Sequence, residues 1–221
     1  MFKKTRNILF LEQLKKLYHT KKRDIRSRLK EFEKVWAKSS DEDIFTELAF
    51  CILTPQSKAI SCWNAIIKLK ESNILFQGTV EQTKPYLSCA RFKNKKAQYL
   101  LEARNLFMLD GTISIKSQLG TFISPYECRD WLVHNIRGLG YKEASHFLRN
   151  IGLGETIAIL DRHILRNLST IGLIKDIPNS MSRRKYLHIE EIMSAFAKQI
   201  QIPLSHLDIL FWYKETGKIF K

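Results

Sequence analysis

The chain has 221 residues, 44% of them hydrophobic and 27% charged, a balance that excludes disordered and collagen-like classes and suits one sizeable core or two small lobes. No apolar run approaches the ~18 positions a membrane span needs, and the short, lysine-flanked stretch from Ile8 to Leu14 is no signal-peptide core; an intracellular protein of the cytoplasm or nucleoid is expected. Thirty-seven Lys and Arg against 22 Asp and Glu leave a net charge of +15 and an isoelectric point near 9.7, which favours a polyanionic partner.

The charge is concentrated at the start of the chain. Eleven basic residues between Met1 and Lys30 face only Glu12 and Asp24, a segment that reads either as a solvated helix face or as an attractor for a phosphate backbone. Ser40 and Asp43 then resemble a capping box, followed by the helical stripe Ile44, Phe45, Leu48, Ala49 and Ile52. Ala97, Leu100, Ala103 and Phe107 form another stripe, and the stretches near Gly78 to Lys84 and Gly111 to Gly120 read as loops. Ser124-Pro125-Tyr126-Glu127 is a helix start, with a serine cap, proline at the first position and glutamate at the third. Later stripes run through Ala144, Phe147, Leu148 and Ile151, stopped by Gly152, and through Ile164, Leu165, Leu168 and Ile171, stopped by Gly172. Ile192, Ala195 and Phe196, then Leu204, Leu207 and Phe211 behind Pro203, complete the pattern. No alternating strand of useful length occurs, so the fold class is all-α. Cys51, Cys62, Cys89 and Cys128 lie far apart, without metal-ligand spacing, and read as core thiols of a reducing compartment.

The segment Ile136-Arg137-Gly138-Leu139-Gly140-Tyr141-Lys142 lies between two amphipathic helices. Two glycines one residue apart permit a tight hairpin whose backbone N–H groups, at the positive end of the second helix, could cradle a phosphate; an ordinary helix-helix turn is the alternative. Lys142 falls in the first turn of that helix, where the helix dipole disfavours a positive charge and so favours a neutral, nucleophilic amine; an ordinary exposed lysine is the alternative. Asp161 comes 19 residues later, before Arg162-His163 and another helical stripe. It reads as a helix cap, as a carboxylate presented to a site, or as both.

Hairpin, lysine and aspartate together resemble the helix-hairpin-helix/Gly-Pro-Asp superfamily of DNA glycosylases. Gly138, Gly140, Lys142 and Asp161 match its motif, while Arg137 replaces the hairpin proline and the loop from Gly152 to Leu160 carries glycines but no proline. The segment from Phe50 to Ala59 is similar to the one from which the superfamily projects a polar side chain into the duplex, with Gln56 at that position. Arg91-Phe92 and the C-terminal stretch Leu207 to Lys221 resemble the second, archaeal-type family of 8-oxoguanine DNA glycosylase/lyases, and the resemblance runs from about Glu31 to Lys221.

The resemblance implies a two-lobed fold with the active site in the cleft between lobes: a helical-barrel lobe over residues 36–120, and a helix-hairpin-helix lobe over 1–35 plus 121–221. It implies a monomer acting on double-stranded DNA that contains 8-oxoguanine or abasic sites, with no membrane partner, no cofactor and no catalytic metal. Lys142 would attack C1′, Asp161 would balance the oxocarbenium-like charge and help move protons, and the Schiff base would permit β-elimination of the 3′-phosphate. Phe92 and Trp212 would sandwich the base, with Arg91 beside them and Lys221 closing the pocket; core packing is the alternative for both aromatics. Gln56 would be the wedge or else a helix cap, and Gly138, Gly140, Arg162 and His163 would meet the DNA. Backbone carbonyls of His134, Ile136 and Leu139 could hold a monovalent cation as a bridge to phosphate. Two other readings remain: the same fold directed at another damaged or mismatched base, and a non-catalytic helix-hairpin-helix binding module.

Overall fold

The computed structural model describes the backbone of residues 2–219 and side chains from residue 9 to 219. In chain order it comprises α1 (Phe2–Lys38), α2 (Asp41–Leu53), α3 (Ala59–Glu71), α4 (Ile74–Gln77), α5 (Val80–Thr83), a 3₁₀ turn (Lys84–Leu87), α6 (Lys93–Leu106), β1 (Met108–Leu109), β2 (Thr112–Ile113) and α7 (Ile115–Leu119). It continues with α8 (Pro125–Asn135), α9 (Tyr141–Asn150), α10 (Arg162–Ile171), α11 (Arg183–Ile200) and α12 (Leu204–Thr216). The all-α class is thus observed; β1 and β2 form only a two-residue antiparallel hairpin turned at Asp110-Gly111, and β2 and α7 lie within the stretch Gly111 to Gly120 expected to be loop.

The chain divides into two compact units, Met1–Glu33 with Gly154–Lys221, and Lys34–Leu153. The second boundary thus falls later than the expected break near residue 120. The reason is local: α8 and α9 form a packed pair, and α9 lies on α2, so the hairpin belongs with the segment that contains α2.

In the unit of residues 34–153, α2 is the central element. Every residue from Ile44 to Leu53 is buried, against α3, α6 and α9. Its start is fixed by the expected capping box: Asp43 N donates to Ser40 Oγ at 3.1 Å while Ser40 N donates to Asp43 Oδ2 at 3.2 Å. Several of the unit's buried polar groups are paired, which offsets the cost of taking them out of water. Asn150 Nδ2 donates to Glu47 Oε2 at 3.2 Å, and Arg104 donates to the Gly78 carbonyl at 2.8 Å. Cys51, Cys62 and Cys128 are core residues, and burial pushes the Cys62 thiol up to about 11 and that of Cys128 to about 12. Cys89 departs from the expectation: it is exposed after the 3₁₀ turn, and its thiol donates to the Ser61 carbonyl at 3.4 Å.

In the other unit the first part of α1 buries Leu14, Tyr18, Ile25 and Phe32, whose spacing keeps one face turned inward. Lys15, Lys16, Arg23, Arg26 and Lys30 stay exposed. The Tyr18 hydroxyl lies 2.9 Å from His206 Nδ1, which ties α1 to α12. The core is completed by Tyr186, Ile189, Met193 and Phe196 of α11 and by Leu207, Leu210 and Phe211 of α12. Among the described residues no helix is long and apolar enough to cross a membrane.

Candidate active site

The hairpin forms because the sequence stops one helix and starts the next within five residues. Pro125 opens α8 behind the Ser124 cap, whose side chain accepts from Tyr126 N. Gly138 adopts φ +84, and a Cβ there would meet the Tyr99 ring at 2.4 Å, so glycine is needed both for conformation and for space. Gly140 is the N-cap of α9 and supplies no side chain to its first-turn N–H groups, leaving them for an external acceptor. Arg129, wholly buried, locks the two helices by donating to Ser145 Oγ at 3.1 Å, with the Tyr126 and Tyr141 rings over its guanidinium. Arg137, standing where the superfamily has proline, reaches α6 instead: it donates to Glu102 Oε1 at 3.1 Å and stacks on Tyr99.

Lys142 lies in the first turn of α9 with its side chain 29% exposed, and Glu143 Oε1 stands 3.7 Å from its Nζ. The fully buried Cys51 lies close enough to feel the charges of Glu47, Lys142, Glu143 and Arg149; burial is the main cause of its raised pKa, and Lys142 opposes it.

Gln56 is exposed, at φ +55 in the turn between α2 and α3. The N-cap of α3 is Lys58, so Gln56 does not cap that helix. Lys96 holds this turn. Only 4% exposed, its ammonium donates to the carbonyls of Leu53 and Pro55, each at 2.7 Å, and to Ser57 Oγ at 3.1 Å. Ser57 Oγ in turn accepts from Arg91 N at 3.0 Å. Gln56 and Arg91-Phe92 are therefore joined through one buried cation, whose pKa is lowered by burial and supported by nearby Glu143. Phe92 also has positive φ, +60. The residue is 54% exposed, outside the core, with the Arg91 guanidinium over its ring. Two bulky residues in left-handed backbone are costly, and such strain clusters at functional turns.

In the other unit Asp161 is the N-cap of α10, with Oδ1 accepting from Ile164 N at 2.8 Å. A carboxylate has about four lone-pair positions, so this cap leaves it capacity for a second task. The loop before it lacks proline but is pinned from α11. The Tyr186 hydroxyl donates to the Ala158 carbonyl at 2.7 Å and accepts from Leu160 N at 3.2 Å, and Glu190 Oε1 accepts from Ala158 N at 2.7 Å. Arg162 is exposed. His163 packs edge-on against Trp212, ring centroids 5.1 Å apart, with Glu215 Oε2 4.0 Å from its Nδ1. Trp212 is partly exposed, and its indole Nε1 has no hydrogen-bond partner among the described residues. Lys221 lies outside the described residues.

Sequence reasoning did not single out Lys96, Glu143, Tyr186 or Glu190. Glu143 could have been noticed as the neighbour of Lys142. The other three act through contacts 26 to 43 residues away in sequence, for which no local signal exists.

The model of the family described as 8-oxoguanine DNA glycosylase matches residues 25–202. An 8-oxoguanine DNA glycosylase/AP lyase of Fusobacterium nucleatum is 46% identical over 212 residues, covering 96% of this chain and 98% of the relative. The crystal structure of the Methanocaldococcus jannaschii 8-oxoguanine DNA glycosylase superposes with a TM-score of 0.85 at 36% identity, over 97% of each chain. That of the Thermotoga maritima enzyme gives 0.86 at 32% identity, over 97% of this chain and 100% of the other. A further M. jannaschii structure, a complex with a 15mer DNA containing 8-oxoguanine, matches at 0.85 and 35% identity over 96% of this chain. With the hairpin, its lysine and the capped aspartate in place, the chain belongs to the helix-hairpin-helix family of 8-oxoguanine DNA glycosylases.

Proposed function

We infer that this protein excises 8-oxoguanine from double-stranded DNA and cleaves the strand at the abasic site it creates, with Lys142 as nucleophile and Asp161 as the balancing carboxylate. The observation that carries the assignment of Lys142 is its placement. The amine is partly buried in the first turn of a helix whose N–H groups are left uncapped by Gly140, so a phosphate held there would set the sugar beside Nζ. The substrate reaches the site by flipping out of the duplex, at a cost of a few kcal/mol. Gln56, exposed on its pinned turn, fills the gap left behind. Phe92 and Trp212 offer aromatic faces to the base, and Arg91, Arg162 and His163 supply donors around it and along the backbone.

Neutral Lys142 attacks C1′ as the glycosidic bond breaks, and Asp161 stabilises the positive charge that develops on the sugar. The amine gives up a proton, the C1′–O4′ bond opens with its electron pair going to a protonated O4′, and the resulting iminium acidifies C2′, so the 3′-phosphate leaves by elimination. His134, Ile136 and Leu139 carry carbonyls suited to a monovalent cation. The His134 carbonyl lies in the final turn of α8, where carbonyls lack intrahelical partners. The Ile136 carbonyl accepts a long 3.3 Å bond from Leu139 N, and a carbonyl oxygen has a second lone pair for an ion. A cation there would supply positive charge toward a backbone phosphate. The last residue, Lys221, closes the base pocket in this reading, and the work on DNA puts the protein at the chromosome.

Borohydride reduction after incubation with duplexes carrying 8-oxoguanine, thymine glycol or uracil tests the assignment. A covalent adduct with the 8-oxoguanine duplex in the wild type, absent in Lys142→Gln, is the expected result. An adduct of equal yield in Lys142→Gln would place the nucleophile elsewhere, and an adduct with thymine glycol alone would replace the substrate.

A further inference from the structure

The elimination step needs a base beside the amine, to take the proton from C2′. Asp161 caps α10 and, in the reading above, serves the charge and the proton movements of base removal. Glu143 is the carboxylate nearest to Lys142 in sequence, and its position is restricted. It occupies the third position of α9, its side chain is 15% exposed, and Oε1 stands 3.7 Å from Lys142 Nζ. Oε2 is turned back over the hairpin, where a Cβ on Gly140 would approach it to 3.1 Å. A side chain at Gly140 would thus crowd this carboxylate by a few tenths of an ångström.

We propose that Glu143 is the catalytic base of strand cleavage, taking the C2′ proton from the Schiff base formed on Lys142. The proposal rests on the reading of Lys142 as nucleophile. Once C1′ is doubly bonded to Nζ, C2′ is two bonds from that nitrogen, and a carboxylate already beside Nζ lies within reach of the C2′ hydrogen. The C2′–H bond breaks, with its proton passing to Glu143. Its electron pair forms the C1′–C2′ double bond as the iminium nitrogen regains its lone pair, giving an enamine. The nitrogen lone pair then returns, a C2′–C3′ double bond forms, and the C3′–O bond breaks with both electrons leaving on the 3′-phosphate. Water later hydrolyses the Schiff base to release Lys142, and Glu143 loses its proton to solvent, so water is the one reactant consumed and no oxidant or reductant is needed. The two carboxylates divide the work: Asp161 serves base removal and Glu143 serves cleavage.

The test is Glu143→Gln, assayed on duplex 8-oxoguanine and on a preformed abasic site, with and without alkaline work-up and with borohydride trapping. General-base catalysis contributes ~10²–10⁴-fold, so the ratio of spontaneous strand cleavage to alkali-revealed base excision should fall at least ~10²-fold while the trapped adduct still forms. Glu143→Asp, which keeps the carboxylate one methylene shorter, should restore part of the cleavage, and deuterium at C2′ should slow the wild type. Wild-type cleavage of the preformed abasic site by Glu143→Gln would overturn the proposal. Parallel loss of excision, trapping and cleavage in a folded Glu143→Gln would overturn it too, since Glu143 would then serve the nucleophile. Undiminished trapping in Lys142→Gln would refute the nucleophile assignment instead, and the two failures are thereby separated.

Discussion

Replacing Gly138 by alanine should unseat the hairpin, and the structure says by how much. At φ +84 an L-residue pays about 1–2 kcal/mol for left-handed backbone. The new Cβ would also lie 2.4 Å from Tyr99 Cδ2 and 2.9 Å from Cε2, ring atoms that cannot swing aside as a flexible chain end can, and forced overpacking costs about 1–3 kcal/mol. Gly138→Ala is therefore expected to lose about 2–5 kcal/mol in urea denaturation, read as a lower midpoint at unchanged slope. The two contributions separate in a double-mutant cycle. In a Tyr99→Ala background, which already lacks the ring under Arg137, only the backbone cost of about 1–2 kcal/mol should remain. Gly140→Ala is the control: its backbone is ordinary at φ −93 and its Cβ would meet only the movable Glu143 Oε2, so a loss of no more than about 1 kcal/mol is expected, much of it from the poorer N-cap. An equal cost for Gly138→Ala with and without the Tyr99 ring would refute the steric argument.

Lys96→Met should destabilise the protein by about 2–3 kcal/mol, because the carbonyls of Leu53 and Pro55 lose a charged donor, and should expose the Gln56 turn to limited proteolysis; unchanged stability would show that the ammonium is dispensable. Asp161→Ala should cost about 0.5–2 kcal/mol through the lost cap while Asp161→Asn should cost far less, yet both should lose most base excision. Full activity in Asp161→Asn would reduce this residue to a cap. Burial, with help from Arg26 and Lys22, holds His206 below its usual 6.5, so the unfolded chain binds its proton first on acidification. Stability from this group should be complete above pH 6.5 and decline as pH falls from there toward the folded value; a melting temperature with the same pH slope in His206→Gln would disprove the linkage.

Much of the fold was legible because its signals are local. Ser40 with Asp43 and Ser124 with Pro125 start helices through contacts no more than three residues apart, and Gly138 and Gly140 mark the hairpin by the conformation and space they allow. Lys142 and Asp161 could be placed at helix starts for the same reason. The 37-residue length of α1 was hidden by its charge, although Leu14, Tyr18, Ile25 and Phe32 carry the periodicity. What the sequence could not supply is which distant groups meet. Asp161 was read as cap or site residue, and only the fold shows the cap made by Oδ1 and the preceding loop held by Tyr186 and Glu190 without a proline. Phe92 admits core packing as the alternative to a site role in the sequence, and the tertiary structure leaves it exposed at positive φ. Lys96 carries no motif at all, and its role arises because folding buries its ammonium under carbonyls more than 40 residues away. A helix cap is encoded by neighbours along the chain; a buried charge is satisfied only by whatever the completed fold brings to it.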